Sequence, residues 1–132
     1  MGETLSVLRK RAEFLAALRL YLQRVSICSF DERLVASLER RRMPATLLFD
    51  RPLRSATCAR TLGPRADLVT RELVDTAHRS GARVVPWTVN DAREMAALLE
   101  LGIDGLVTDR PALARAVLAE TGLDGQGHRS VA

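Results

Sequence analysis

The side chains best suited to catalysis or metal binding are few in this sequence, and their spacing does not form a recognisable site. The two histidines are His78, inside a predicted helix, and His128, near the C-terminus, where we expect it to have no role. Cys28 and Cys58 have no metal-ligand spacing and form no disulfide framework. Cys28 lies in a predicted apolar strand, so we expect a small buried hydrophobic residue. The sequence therefore predicts no catalytic residue and no metal ligand on this chain.

Other polar and aromatic residues lie where predicted strands begin or end. An indole offers an apolar ring face and one N–H donor, so Trp87 is either a ligand-binding residue or a core residue between strand and helix. Asn90 and Asp109 could orient ligands, but each stands where a helix cap is needed, and we favour capping. Asp104 lies in a glycine-bounded turn, for which a turn role is preferred.

The elements that position these residues alternate between strand and helix. A leading amphipathic helix is predicted over residues 3–22, because leucines and Phe14 recur at three- and four-residue steps. Strands are predicted at residues 24–29, 46–49, 83–89 and 105–108, and helices follow at residues 71–80, 92–101 and 111–121 and directly after the first strand. Residues 50–68 are interpreted as a loop with a short helical turn around residues 55–61.

Together these elements predict an α/β fold. About four βα units preceded by one helix correspond to half of a (β/α)₈ TIM barrel. Neither G-x-G-x-x-G nor G-x-x-x-x-G-K occurs, so a nucleotide-binding doubly wound sheet is unsupported. We expect one domain over residues 1–122 and a flexible tail over residues 123–132.

Charge and composition narrow the class of protein. The chain has 132 residues, a formal net charge of +4 and a single lysine, Lys10. Basic runs at residues 9–11 and 40–42 could bind phosphate or nucleic acid, but acidic neighbours and scarce aromatic residues favour solvated helix faces. No apolar run is long enough to cross a bilayer and the N-terminus lacks a signal-peptide pattern, so we expect a cytoplasmic protein without a nucleic-acid partner.

Two motifs in the C-terminal half resemble a known family. The first is W-T-V-N at residues 87–90, and the second is G-I-D-G-L-V-T-D-R-P at residues 102–111. Both resemble the C-terminal signature of the glycerophosphodiester phosphodiesterases. S-F-D at residues 29–31 resembles the exit of that family's fifth strand, and residues 72–81 resemble the helix before W-T-V-N. The resemblance covers residues 25–118 and implies strands five to eight of a TIM barrel.

The resemblance also implies an activity and the parts that this chain lacks. Members hydrolyse glycerophosphodiesters to glycerol 3-phosphate and an alcohol with a divalent metal, Mg²⁺ or Ca²⁺. The family's catalytic histidines and metal-binding carboxylates have no counterpart here, so no metal ligands are expected on this chain. Trp87 matches the family's aromatic residue beside the substrate's glycerol. Phe30 could line the same end of the barrel as Trp87, although we prefer a core position for Phe30.

Three hypotheses follow. The chain is the C-terminal half of a glycerophosphodiester phosphodiesterase of glycerophospholipid metabolism, truncated and inactive alone. Alternatively, it is a non-catalytic half-barrel that binds or assembles, forming a homodimer through the open sheet edges at residues 24–29 and 105–108. A basic nucleic-acid binder is the third and weakest hypothesis.

Overall fold

The structure, a computed structural model, describes residues 9–11, 13, 17 and 25–122. The leading helix predicted for residues 3–22 lies outside the described residues, apart from those five positions, which are helical. The flexible tail predicted at residues 123–132 also lies outside them, so the predicted boundary at residue 122 stays a prediction.

Within residues 25–122, four parallel strands form one sheet in which the order in space equals the order along the chain. The strands are β1 (Ile27–Ser29), β2 (Ala45–Phe49), β3 (Thr61–Pro64) and β4 (Arg83–Val84). The helices are α1 (Glu32–Arg40), α2 (Arg71–Arg79), α3 (Ala92–Glu100) and α4 (Pro111–Glu120), with a 3₁₀ turn at Ala66–Leu68. This arrangement confirms the predicted α/β fold.

The third strand was not predicted, and residues 50–68 are therefore not wholly a loop. Its sequence, T-L-G-P, contains two residues that are rare inside sheets. Gly63 is required by packing, because a Cβ there would lie 2.7 Å from Leu48 Cδ2 and 3.0 Å from Thr46 Cγ2. The helical turn predicted around residues 55–61 is absent, and the local helix instead follows the strand, at Ala66–Leu68.

The strand predicted at residues 83–89 is regular only over Arg83–Val84, and residues 105–108 are not a regular strand. Pro86 explains the interruption, because proline has no N–H for the ladder. Parallel pairing nevertheless continues in fragments: Val107 N–H donates to Pro86 O and Val89 N–H donates to Val107 O, both at 2.9 Å. Residues 104–107 therefore extend the sheet beyond β4 without completing the predicted strand.

The hydrophobic core lies between the helices and one face of the sheet. It includes Leu47, Val35, Val74, Val84 and Met95, all at most 2% exposed. Side chains alternate along a strand, so the residues next to Leu47 point away from the helices. That opposite side, which we call the second face, carries Thr46, and its hydroxyl lies 2.9 Å from that of Ser26.

Cys28 lies on this second face, since it pairs in register with Thr46. The prediction of a buried Cys28 is wrong, because the residue is exposed in the structure. Among the described residues no helix covers the second face beside β1. Side chains of β1 that point to this face, such as Cys28, are therefore exposed.

The helix C-termini differ in one respect that matters later. Gly81, Gly102 and Gly122, which follow α2, α3 and α4, have φ of 79°, 87° and 68°. The equivalent residue after α1 is Arg42, with φ of 59°. Its N–H donates to Glu39 O, as in a Schellman cap, where glycine is the usual residue. A side chain in this left-handed conformation costs about 1–2 kcal/mol, so Arg42 is retained against a local preference for glycine.

Candidate functional site

The C-terminal ends of the parallel strands form the rim at which barrel folds bind ligands. Trp87 lies on this rim, beyond β4, and is half-buried. Its backbone N–H donates to Pro64 O at 3.0 Å, and its carbonyl accepts from Ala66 N–H at 2.9 Å. The indole Nε1–H donates to Gly63 O at 2.6 Å. The single indole donor is thus used inside the protein, and the ring face is what remains for a ligand.

Phe30 lies on the same rim, directly after β1, and is 59% exposed. The preferred core position for Phe30 is therefore wrong. Its ring meets that of Trp87 edge to face, with centroids 5.7 Å apart and planes at 87°. Such a pair holds both rings in one orientation. The structure thus brings the two predicted substrate-binding residues together.

This contact joins opposite ends of the sheet. In the strand order, β1 and β4 are the first and the last strand, and Phe30 and Trp87 follow them. The two side chains therefore meet across β2 and β3 at the rim.

The backbone of an arginine lies beside that of Trp87. Arg65 follows β3 and forms an isolated bridge with Trp87. Its guanidinium donates two hydrogen bonds to Asp67, at 2.6 and 2.8 Å. These bonds lower the pKa of Asp67 and raise the pKa of Arg65. The sequence analysis missed Arg65, because a strand containing glycine and proline gave no signal that it ended at the rim.

Asn90 and Asp109 join the two family motifs rather than capping helices. Asn90 Oδ1 accepts from Asp109 N–H at 2.9 Å and from the Thr108 hydroxyl at 3.0 Å. Asn90 Nδ2 donates to Asp109 Oδ2 at 2.9 Å. The preference for capping is wrong for both, because Asp91 caps α3 and Arg110, which makes no side-chain cap bond, is the N-cap of α4. The pair fixes the loops on either side of α3 to each other.

Asp104 and His78 lie near the N-terminal end of β4, opposite the rim. Asp104 Oδ2 accepts from Val84 N–H at 2.7 Å, and His78 Nε2 lies 2.8 Å from the same oxygen. Asp104 N–H also donates to Val84 O at 2.9 Å. Asp104 therefore does more than form a turn: it completes the backbone pairing of β4. These contacts, at the end of the strands away from the rim, give Asp104 and His78 a structural role.

The residues of the rim do not fit a divalent cation. Among residues 9–11, 13, 17 and 25–122, no three His, Cys, Asp or Glu side chains cluster closely enough to hold a metal ion. Asp67 is occupied by Arg65, and Asp109 by Asn90. What the described rim offers is an apolar aromatic surface, which suits contact with carbon-bound hydrogens. The same part of the chain contains no helix with the length and apolar character needed to cross a membrane.

Comparison with known proteins agrees with this geometry. A sequence profile of the glycerophosphoryl diester phosphodiesterase family matches residues 4–113. A Mycobacterium tuberculosis protein described as a glycerophosphodiester phosphodiesterase is 33% identical over 109 residues, which are 80% of this chain and 41% of that protein. The chain is also similar to a solved Silicibacter pomeroyi structure described as a glycerophosphoryl diester phosphodiesterase: the TM-score is 0.71 and the identity 29%, over 86% of this chain and 44% of that one.

A more distant solved structure shows the same fold. It is an Oleispira antarctica phosphodiesterase in complex with the product sn-glycerol-3-phosphate, with a TM-score of 0.64 and 15% identity over 71% of this chain and 41% of that one. The chain thus spans less than half the length of each of these three relatives. The profile match over residues 4–113 covers most of the sequence, and the chain belongs to the glycerophosphoryl diester phosphodiesterase family.

Proposed function

We propose that this chain forms the part of a glycerophosphodiester phosphodiesterase site that holds the glycerol carbons, and that the chain alone does not hydrolyse its ligand. The observation that carries the proposal is the edge-to-face pair of Phe30 and Trp87 on the C-terminal rim. The indole N–H is already bound to Gly63 O, so the exposed ring surfaces are suited to carbon-bound hydrogens rather than to a hydroxyl.

Two observations support inactivity of the chain by itself. Metal-assisted phosphodiester cleavage needs a cation that offsets the charge developing on the phosphoryl oxygens. The family resemblance implies Mg²⁺ or Ca²⁺, but the described carboxylates do not cluster into a site for either ion. The chain also spans only 41–44% of the three relatives described above. We propose that the missing ligands are supplied by the part of the relatives that this chain does not match.

Binding can be tested without any turnover. Trp87 is the only tryptophan, so intrinsic fluorescence reports directly on the proposed site. We expect glycerol 3-phosphate to change the emission saturably, and Phe30→Ala to weaken the response, because the indole loses the ring that orients it. Leu34→Ala is the matched control, since Leu34 is 45% exposed on α1. A saturable response that Phe30→Ala leaves unchanged contradicts a role for the aromatic pair.

Turnover is tested in three mixtures. The pure chain with glycerophosphocholine and millimolar Mg²⁺ or Ca²⁺ is expected to release no glycerol 3-phosphate. The complementary portion of the Silicibacter pomeroyi protein is expected to be inactive alone, and refolding the two pieces together is expected to restore metal-dependent release. Robust turnover by the pure chain would refute the claim of inactivity.

A second candidate function is a non-catalytic module that dimerises. The observation that favours it is β1, which in the described residues pairs only with β2 and leaves its other edge open. Open edges promote association with another strand. Sedimentation equilibrium is expected to show a dimer at micromolar concentration if this candidate is correct, whereas a monomer would remove it. Cytoplasmic localisation, a place in glycerophospholipid metabolism and the absence of a nucleic-acid partner stay predictions.

A further inference from the structure

A cavity of about 630 Å³ lies at the N-terminal ends of the strands, away from the rim. Its volume is typical of a site for a small ligand. Among the described residues, the lining includes three arginines, Arg42, Arg60 and Arg83, and one acidic residue, Glu39. The titratable lining therefore carries an excess of two positive charges.

The positive charge is only partly compensated inside the protein. Glu39 Oε1 accepts from the backbone N–H of Arg60 at 2.8 Å, so that carboxylate is engaged by an amide. No salt bridge between described residues involves Arg42, Arg60 or Arg83. Arg83 Nη2 makes only a long contact of 3.5 Å with the Thr61 hydroxyl. The guanidinium groups are therefore free to bind an anion in this part of the structure.

The backbone of Arg42 is the second and independent observation. Of the four helix C-termini within residues 25–122, three place glycine in the left-handed position and one places Arg42 there. Glycine would be the more stable choice at this residue. A side chain that keeps an unfavourable backbone conformation, and that lines a cavity, points to a function for that side chain.

The cavity also supplies neutral hydrogen-bonding groups. Ser26, Thr46 and Thr61 are part of the lining. The hydroxyls of Ser26 and Thr46 bond to each other at 2.9 Å, and the one that accepts keeps a hydrogen that can be donated to a phosphoryl oxygen. Guanidinium groups suit phosphate because they present paired N–H donors. We infer that this cavity binds a small phosphorylated anion carrying at least two negative charges, at a site separate from the aromatic rim.

This inference assigns a role to one of the three arginines in the second basic run. Arg40 ends α1 and Arg41 follows it, whereas the left-handed turn at Arg42 directs the chain so that Arg42 joins the cavity. Arg41 is not in the lining. Arg41 is therefore the matched control for Arg42: it is adjacent, has the same side chain and is exposed.

The test is isothermal titration of inorganic pyrophosphate into the full chain at 50 mM salt. We expect saturable binding by the wild-type chain and at least about tenfold weaker binding by Arg42→Gly, the loss expected for one charge-assisted hydrogen bond. Arg41→Ala should bind within about twofold of wild type. Arg42→Gly should also melt at the same or a higher temperature without ligand, because glycine suits the backbone there, so weaker binding cannot be assigned to misfolding.

Three results would overturn the inference. The first is no saturable binding of pyrophosphate by the wild-type chain. The second is equal affinity of Arg42→Gly and wild type. The third is steeply salt-dependent binding of a DNA duplex that pyrophosphate does not displace, which would identify a nucleic-acid surface instead.

Discussion

Asp104 is predicted to contribute strongly to stability although its side chain is 30% exposed. Its carboxylate accepts from the N–H of Val84, a residue with 0% exposure. In Asp104→Ala that N–H loses its partner inside the core, where water cannot replace it. Losing a hydrogen bond to a charged acceptor and leaving a buried donor unpaired costs about 2–3 kcal/mol. At about 4 °C per kcal/mol for a chain of this size, the melting temperature should fall by about 8–12 °C.

Two matched variants separate the parts of this effect. Asp104→Asn keeps an oxygen that can accept from Val84 N–H, so we expect a loss of only about 1 kcal/mol. His78→Gln removes the other partner of the carboxylate, and because the His78 side chain is 41% exposed the loss should stay below about 1 kcal/mol. The expected order of destabilisation is Asp104→Ala, then Asp104→Asn, then His78→Gln.

Urea unfolding followed by far-UV circular dichroism measures the three free energies of unfolding, with an unchanged m-value as the check that the same structure unfolds. If Asp104→Ala lies within about 0.5 kcal/mol of wild type, the bond to Val84 contributes little and the reasoning fails. It also fails if His78→Gln costs as much as Asp104→Ala, because the surface contact would then dominate.

Three further outcomes are expected. Asn90→Ala should cost about 1 kcal/mol in urea unfolding, because Asp109 N–H loses its acceptor at an exposed site, and an unchanged free energy of unfolding would contradict that bond. Gly102→Ala should cost about 1–2 kcal/mol of stability because of its φ of 87°. A steric clash would not contribute, since the nearest atom to the new Cβ would be 3.9 Å away, and no loss of stability would contradict the left-handed cap. Arg65→Ala should raise the pKa of Asp67 toward its ordinary value of 3.8, as measured by an NMR titration. The Arg65–Asp67 pair stabilises the fold above pH 3.8, and this contribution is lost as the pH falls through the lowered pKa of Asp67. An Asp67 pKa that is the same in Arg65→Ala and wild type would contradict the contact.

Local patterns were sufficient to predict most helices and the second strand. Asp91 follows a strand and precedes an apolar-periodic segment, and it caps α3 as that pattern indicates. The strand at Ala45–Phe49 is an almost unbroken apolar run, typical of a buried parallel strand. These features depend on residues close together in the chain, which is why the sequence alone reveals them.

Features that depend on distant residues could not be predicted in the same way. Gly63 and Pro64 indicate a turn when taken locally, and only the approach of Leu48 and Thr46 explains a strand with glycine there. Asn90 was interpreted as a cap because it stands just before α3, but Asp91 is the residue that caps this helix. The side chain of Asn90 instead bonds to Asp109, 19 residues away.

The rim shows the same division. The resemblance placed Trp87 and Phe30 near one end of the barrel, but their contact, with ring centroids 5.7 Å apart, depends on how the sheet arranges its first and last strands. Arg65 became visible only once β3 was known to be a strand that ends beside Trp87. Sequence reasoning therefore identified the two aromatic residues of the candidate site and missed the strand end beside them.

The strand order has a consequence for how such a chain can change in evolution. Each strand in the sheet meets only the strands that precede and follow it in the chain. The backbone pairing of the sheet is thus a sum over interfaces between adjacent strands, as in repeat proteins, while the Phe30–Trp87 contact joins its two ends. Adding, duplicating or deleting a strand–helix unit at either end alters one strand–strand interface and leaves the backbone pairing of the other strands unchanged. A barrel wall organised in this way can be lengthened or divided between units while each remaining piece keeps its own helices packed on its own strands.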